Sequence, residues 1–574
     1  MQNTVDVLST TAFSSPSSSF REQQSVPLED PPSQKCGGWR AVKYILWNES
    51  FEKLASIGLI ANLAVYLQKS YNMDGIFIVN VFNFWSGSSN LTPLIGAFLS
   101  DAYLGRYYTL LFGSIASLLG MATMTLTAGI PKFRPSPCAI NEVCEEAKGW
   151  QLGLLYVGLG FLAIGAGGIR PCNIAFGADQ FDTRTEKGRT QLESFFNWWY
   201  LSFTVALVIA LTIVVYIQTN VSWVIGYGLP TACLLISISI FLLGRHTYIL
   251  SKPQGSVFVD TAKVVVAAWR KRKMKISPEV SLYQPMEEER LPRTKRFLFF
   301  DKAAVITDPN EDKDPWNLCS VTQVEQMKSL IGVLPVWITG IGCFITMDQM
   351  NTLGLTQAIQ SNNNLGSFKI PPGWMGLTSM IFLSIWILIY EELFVTKSRK
   401  GAKQKRFTMR QRINIGILMA ILCMLVAAFV EKKRRDLALQ KGSFISPLSI
   451  FALLPQFALS GLNEAFAAVA IMEFFTTTLP NGMRTVAGAI FFLSFSASSY
   501  INAALVNIVH YVTSRDGRSP WLGGRDLNKV SIDKYYYLIA SLALLNLVYF
   551  NLYSHHYLKN PTSINDDQEI ADSA

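Results

Sequence analysis

The chain has 574 residues, half of them hydrophobic and only 16% charged, with a formal net charge of +10 and a mean hydropathy of +0.27. That is far too much apolar material for one soluble core, so the composition describes a polytopic membrane protein. The excess Lys and Arg lies mostly in loops between apolar stretches, which argues for basic loops on the inner face of a membrane and against nucleic acid as a partner.

Residues 1–40 are rich in Ser, Pro, Gln and Thr, with neither an apolar core nor a helical period, and read as a disordered cytoplasmic tail. Apolar runs of membrane-crossing length follow near 44–68, 76–100, 107–130, 150–172, 195–217 and 222–243, and again near 329–350, 374–395, 411–430, 447–475, 483–511 and 534–554. The expected architecture is therefore all-α, with twelve transmembrane helices in two six-helix bundles, 41–243 and 329–557, and a second disordered tail at 558–574. A polar stretch, 244–328, separates the bundles. Its segment Val257–Ile276 has helical apolar spacing and ends in the basic run Trp269-Arg-Lys-Arg-Lys-Met-Lys275, so it reads either as a helix lying on the inner membrane surface or as a flexible linker. The loop from Lys397 to Arg412 carries eight Lys and Arg and no acid, which places it, both termini and the linker in the cytoplasm. Glu431-Lys-Lys-Arg-Arg-Asp436 runs against this rule, because it falls in an outer loop. Cys172, Cys233, Cys343 and Cys423 lie in apolar runs, so neither a zinc site nor a disulfide scaffold is indicated, and only Cys138 and Cys144, in one loop, invite pairing.

The first apolar run contains Glu49, Glu52 and Lys53. At ~100° per residue all three fall on one helix face. Each charge near the bilayer centre costs at least ~2.5 kcal/mol, so the face must turn to a protein interior or a wet cavity where the charges pair. A proton could break that pairing.

Further along, Asp101 and Arg106 flank Gly105 in the short turn between spans 2 and 3. They read either as a pair across helix ends that gates one conformation, or as solvated charges in a tight turn. Arg170 follows a glycine-rich stretch and precedes Pro171. It cannot practically deprotonate, so a buried position requires an anionic partner, with the first span the nearest supply; a snorkelling side chain is the alternative. Phe195-Phe-Asn-Trp-Trp-Tyr200 has the composition of an interfacial aromatic belt. In the second half Glu464 lies well inside span 10 without a charged neighbour in sequence and must be protonated, paired across helices or exposed to a cavity. Glu473 sits nearer the inner end of that span. Asp348 is expected at the outer end of span 7, where solvent would satisfy it.

Together these stretches resemble the plant nitrate and peptide transporter family, NPF, of the proton-dependent oligopeptide transporters in the major facilitator superfamily. The resemblance covers about residues 38 to 557 and rests on eight motifs in order: Glu49, Glu52 and Lys53 in an ExxE[K/R] pattern; GAFLSDAYLGRY; GAGGIRPCNIAFGADQFD; FFNWWY; VTQVEQMKSLIGVLPVW; FKIPP; Glu473-Phe-Phe475; and Trp521-Leu with Asp526-Leu-Asn-Lys529. It implies two bundles rocking about a central site, with protons as the coupling ion and no cofactor. It also implies Glu49 and Glu52 as proton acceptors, Lys53 and Arg170 as their partners, and Glu464 as a lining residue of the opposite bundle.

On substrate, family members that carry peptides typically follow the first motif with two tyrosines, where this chain has Ser56 and Ile57. The Lys ending of the motif and the NESFEKLASIG wording resemble a subgroup carrying nitrate or glucosylated metabolites. A span 7 histidine linked to nitrate in part of the family corresponds here to Met347. The expected function is proton-coupled symport of nitrate or another small organic anion or glucosylated metabolite, with di- or tripeptide symport and a passive anion channel as alternatives. Arg106-Tyr-Tyr-Thr109 suits a kinase site at Thr109, and some relatives in the family it resembles are regulated near there, which makes a regulatory kinase a candidate partner beside the substrate and the lipid bilayer. No Walker-type loop, paired-histidine metal motif or nucleophile motif is found, so an enzyme is not expected. The plasma membrane is the default location and the vacuolar membrane the alternative.

Overall fold

The structure, a computed structural model, describes residues 37–558 apart from 137–144, 183–184, 251–256, 275–281, 286–290, 292, 295, 307–313, 315, 391–406, 481–482 and 516–519. Both terminal tails, Cys138, Cys144 and most of the basic loop 397–412 thus lie outside the described residues.

Among the described residues, nine helices are long and apolar enough to cross a membrane. One of them, Gly75–Gly129, is two spans. Gly105 turns the chain at φ 74°, and Gly96 packs on Gly167 while Gly113 packs on its neighbour Gly168. On one straight helix Gly96 and Gly113 would stand about 25 Å apart, so meeting adjacent residues of span 4 requires the chain to reverse between them. A Cβ at Gly96 would fall on the Gly167 carbonyl, which explains the glycines here as close-packing residues. The bent pair Trp39–Ile60 and Leu63–Ser70 forms span 1, and the shorter apolar helix Trp374–Tyr390 stands at span 8. With these the twelve spans fall where the apolar runs place them.

Local chemistry sets several ends. Asp74 caps span 2 by accepting from Phe77 N at 2.8 Å. Capping boxes start span 7 (Ser320 with Gln323) and span 9 (Thr408 with Gln411), and Gly442 at φ 62° ends span 9. Span 1 bends by 49° at Ala61–Asn62. There Asn62 Nδ2 donates to Gln218 Oε1 at 3.1 Å and to Thr219 Oγ1 at 2.9 Å, so a contact with span 5 fixes the break.

Three expectations need correction. The charged run 431–436 is not a loop: span 9 is one helix, Met409–Lys441, in which Glu431 and Arg434 are fully buried and joined at 2.8 Å. Paired and enclosed, these charges are not loop charges and carry no vote on orientation. The linker helix Val257–Arg270 does form, but its apolar residues Val264, Ala267 and Ala268 pack against Ala303, Ala304, Cys319 and Val324. Protein, not lipid, covers that face. Asp348 is not at a solvated terminus, because span 7 continues through a π-turn to Ile359 and leaves Asp348 buried.

The halves meet through spans 2 and 11 at the end opposite the chain termini. Asn80 and Asn507 exchange hydrogen bonds at 3.0 and 2.8 Å, Ser88 and Tyr500 hydroxyls lie 2.9 Å apart, and Gly75 N donates to Gly524 O at 3.0 Å. The FKIPP motif joins this seam. It forms the hairpin Asn364–Leu365 and Phe368–Lys369, whose Phe368 stacks on Tyr216 of the first half at 5.7 Å while Asn220 donates to Lys369 O.

Candidate transport site

Span 1 brings Glu49, Glu52 and Lys53 together inside the first bundle. The Lys53 ammonium lies 3.5 Å from Glu49 Oε1 and 3.3 Å from Glu52 Oε2, and both carboxylates are almost wholly buried. One cation thus serves two anions. Asn173 of span 4 donates to Glu49 Oε2. It sits three residues after Arg170, on the same helix face, a spacing from which the sequence could have suggested it.

Arg170 shares this site without an ion pair within 4 Å among the described residues. Its Nη1 donates to Asn90 Oδ1 at 2.8 Å and to the Ser89 carbonyl at 3.3 Å. The guanidinium also lies 6.0 Å from the Phe492 ring of span 11, across the gap between the halves. The expected direct bridge from Arg170 to Glu49 or Glu52 is therefore not formed here: Lys53 occupies the carboxylates, and neutral acceptors hold the arginine.

In the second bundle Glu464 opens a π-turn, Glu464–Ala468. It is half-buried and has no hydrogen-bond or ion-pair partner among the described residues, so of its three expected conditions pairing across helices is not the one met here. Met347 is packed among Cys343, Phe344 and Ile471. Asp348 Oδ2 accepts from Ser498 at 2.8 Å, Ser499 at 3.1 Å and Asn502 at 3.2 Å, and Ser499 lies 3.3 Å from Ser86 of the first half. Sequence reading understated this residue, because the partners come from a span more than a hundred residues away.

At the termini end Arg106 pairs with Asp179 at the end of span 4, so the pairing across helix ends involves Asp179, while Asp101 stays half-buried beside it. Burial raises the Asp101 carboxyl above its ordinary range, against the lowering effect of Arg106. Glu473 pairs with Arg412 at 2.5 Å. Thr109, the expected kinase site, is buried in this conformation and donates to Gly105 O at 3.0 Å. Phe195 is likewise buried, against Val42 and Phe181, whereas Phe196 and Trp198 are exposed as a belt requires.

Two helical halves seamed at one end, with buried charges of both signs between them and in their walls, define a membrane transporter of the major facilitator type. A family model described as "PTR2: POT family" matches residues 107–522. Two Arabidopsis thaliana proteins align over nearly the whole chain: Protein NRT1/PTR FAMILY 2.8 at 56% identity, covering 91% of this chain and 95% of its own, and Protein NRT1/PTR FAMILY 2.13 at 43%, covering 90% and 86%. The crystal structure of the POT family transporter PepTSo shares the fold, with a TM-score of 0.67 over 90% of this chain and 98% of that one, at 17% identity. The chain belongs to the POT family, among its plant NRT1/PTR members, and is a multi-pass membrane transporter and not an enzyme.

Proposed function

We propose that the protein is a proton-coupled symporter, working by alternating access, for nitrate or another small organic anion or glucosylated metabolite. The observation that carries this reading is the division of charge in the first bundle: Lys53 is shared by Glu49 and Glu52, while Arg170 is held only by neutral acceptors. Protonating either glutamate loosens its hold on Lys53, and Arg170 keeps its full charge for an anion arriving in the gap between the halves. Ser56 and Ile57 offer no aromatic hydroxyls for a peptide backbone. Protons are the coupling ion and no cofactor is required. With the termini in the cytoplasm, the seam closes the outer side and the described conformation faces inward; the plasma membrane is the proposed location.

The test is uptake in oocytes at acidic external pH from a panel of nitrate, a dipeptide and plant glucosides. Glu49→Gln or Glu52→Gln abolishes gradient-driven uptake on this reading, and undiminished proton-driven uptake in both variants refutes it. One observation favours a second reading: the unpaired Glu464 carboxylate suits an amino group, as in a di- or tripeptide symporter. Competition by an unlabelled dipeptide that disappears in Glu464→Gln would select it. A passive anion channel predicts currents indifferent to the pH gradient.

A further inference from the structure

A small cavity of about 20 Å³ lies within the first bundle beside the charged cluster, between Glu52 and Ser56 of span 1, Trp85 and Ser89 of span 2, and Arg170 of span 4. Three of these residues carry a buried polar atom with no hydrogen bond to protein: Glu52 Oε2, Trp85 Nε1 and Ser89 Oγ. Lys53 is within ion-pair distance of Glu52 Oε2 but does not hydrogen-bond that oxygen. Desolvated neutral polar atoms left unpartnered, as Trp85 Nε1 and Ser89 Oγ are, cost about 1–3 kcal/mol each. A water needs roughly 10–15 Å³ and two to four polar partners; the cavity has the volume, and three of its lining residues carry such an atom.

We infer that this cavity is a built site for one water molecule, which hydrogen-bonds Trp85 Nε1, Ser89 Oγ and Glu52 Oε2 and hands Glu52 its proton. The indole N–H can only donate and an ionised carboxylate can only accept. The water therefore accepts from Trp85 and donates to Glu52, and the Ser89 hydroxyl, able to do either, completes the shell. In the transfer the water gives a proton to Oε2 and takes one from hydronium, so that carboxylate and hydronium become carboxylic acid and water. The charged groups facing Glu52 are Glu49 and Lys53 on its own helix and Arg170 from span 4; the lining residues of spans 2, 3 and 6 add no titratable side chain. Trp85 and Ser89 thus act as positioning residues. The inference rests on the reading of Glu52 as a proton acceptor and adds its donor.

The experiment is an infrared titration of the full-length purified transporter, with the Glu52 carboxyl band assigned by its loss in Glu52→Gln. Trp85→Phe keeps the ring and deletes the N–H, and Ser89→Ala deletes the hydroxyl. Each removes a bond that organises the donor to the ionised carboxylate, so the band midpoint rises by about one pH unit, the size of one charge-assisted hydrogen bond. The double variant shifts no further than the larger single, because both act through one water. Unmoved midpoints, or shifts that add, overturn the proposal. A cryo-EM map at water-resolving resolution decides independently of transport. Density within hydrogen-bond distance of all three atoms supports the site, and an empty or collapsed cavity overturns it. A wild-type Glu52 that never titrates while this density is present overturns the proton-acceptor reading and the hand-off with it, leaving only the water site standing.

Discussion

Glu431 and Glu464 are carboxylates of the same bundle in opposite circumstances. Glu431 accepts from Arg434 Nε at 2.8 Å, Arg434 Nη2 at 2.9 Å and Gln357 Nε2 at 2.9 Å, whereas Glu464 has no such donor among the described residues and keeps part of its surface open. A fully enclosed ion pair punishes loss of one partner, because the other remains buried and charged. Glu431→Gln should therefore destabilise the purified protein by about 3 kcal/mol, read as a clear fall in melting temperature. Glu464→Gln should stay within roughly 0.5 kcal/mol of wild type, while its effect appears in substrate competition. The reverse order of stabilities would mean that Glu464 is structural. The same reasoning separates Arg170 from Arg434. One is clamped by a carboxylate, and the other is left with its charge unspent.

At the scale of the helix, what could be read in advance depended on whether its cause was local. Twelve apolar runs and the charged face of span 1 were legible because hydropathy and 3.6-residue spacing belong to the segment itself. The break at Ala61–Asn62 was not, since it is fixed by Gln218 and Thr219 from span 5. Nor was the persistence of span 9 past Val430: a run of six charged residues reads as loop until Gln357, Asn528 and Asp533 are known to receive it. For the linker helix the sequence left helix and flexible linker open and offered the wrong neighbour, because periodicity reports that a face is apolar and not what covers it. Its seat has a testable consequence. Val264 and Ala268 are wholly buried on that face, so Ala268→Asp should release the helix from the start of span 7, with faster proteolysis of the linker and spans that still insert. Unchanged cleavage would show that the packing contributes little.

Over the whole molecule the seam of spans 2 and 11 is the element that any rocking of the halves must break. Its contacts include hydrogen bonds between neutral side-chain and backbone groups and the aromatic contacts Phe84–Tyr500 and Tyr216–Phe368, and such bonds contribute about 1 kcal/mol each in net terms. A seam of that kind holds a conformation and still opens within reach of ligand and proton binding. The membrane potential sets the energetic scale of the cycle. One charge crossing 100 mV is worth ~2.3 kcal/mol, so importing a monovalent anion gains from an inside-negative field only when more than one proton accompanies it. Asp348, buried against Ser498 and Ser499 and linked through Ser499 to Ser86 of the other half, stands where a second proton would bear on the seam. Opening can be tested directly at Asn80 and Asn507, whose amides exchange two hydrogen bonds. Cysteines placed at both positions, in a background whose native cysteines are replaced, should be bridged by a short thiol cross-linker. The bridged protein should lose uptake and recover it on cleavage of the linker. Neither single variant should respond, because only a link between the halves stops them from parting. Full uptake with the bridge in place would mean that spans 2 and 11 stay together through the cycle and that access alternates by some motion other than the separation of this seam.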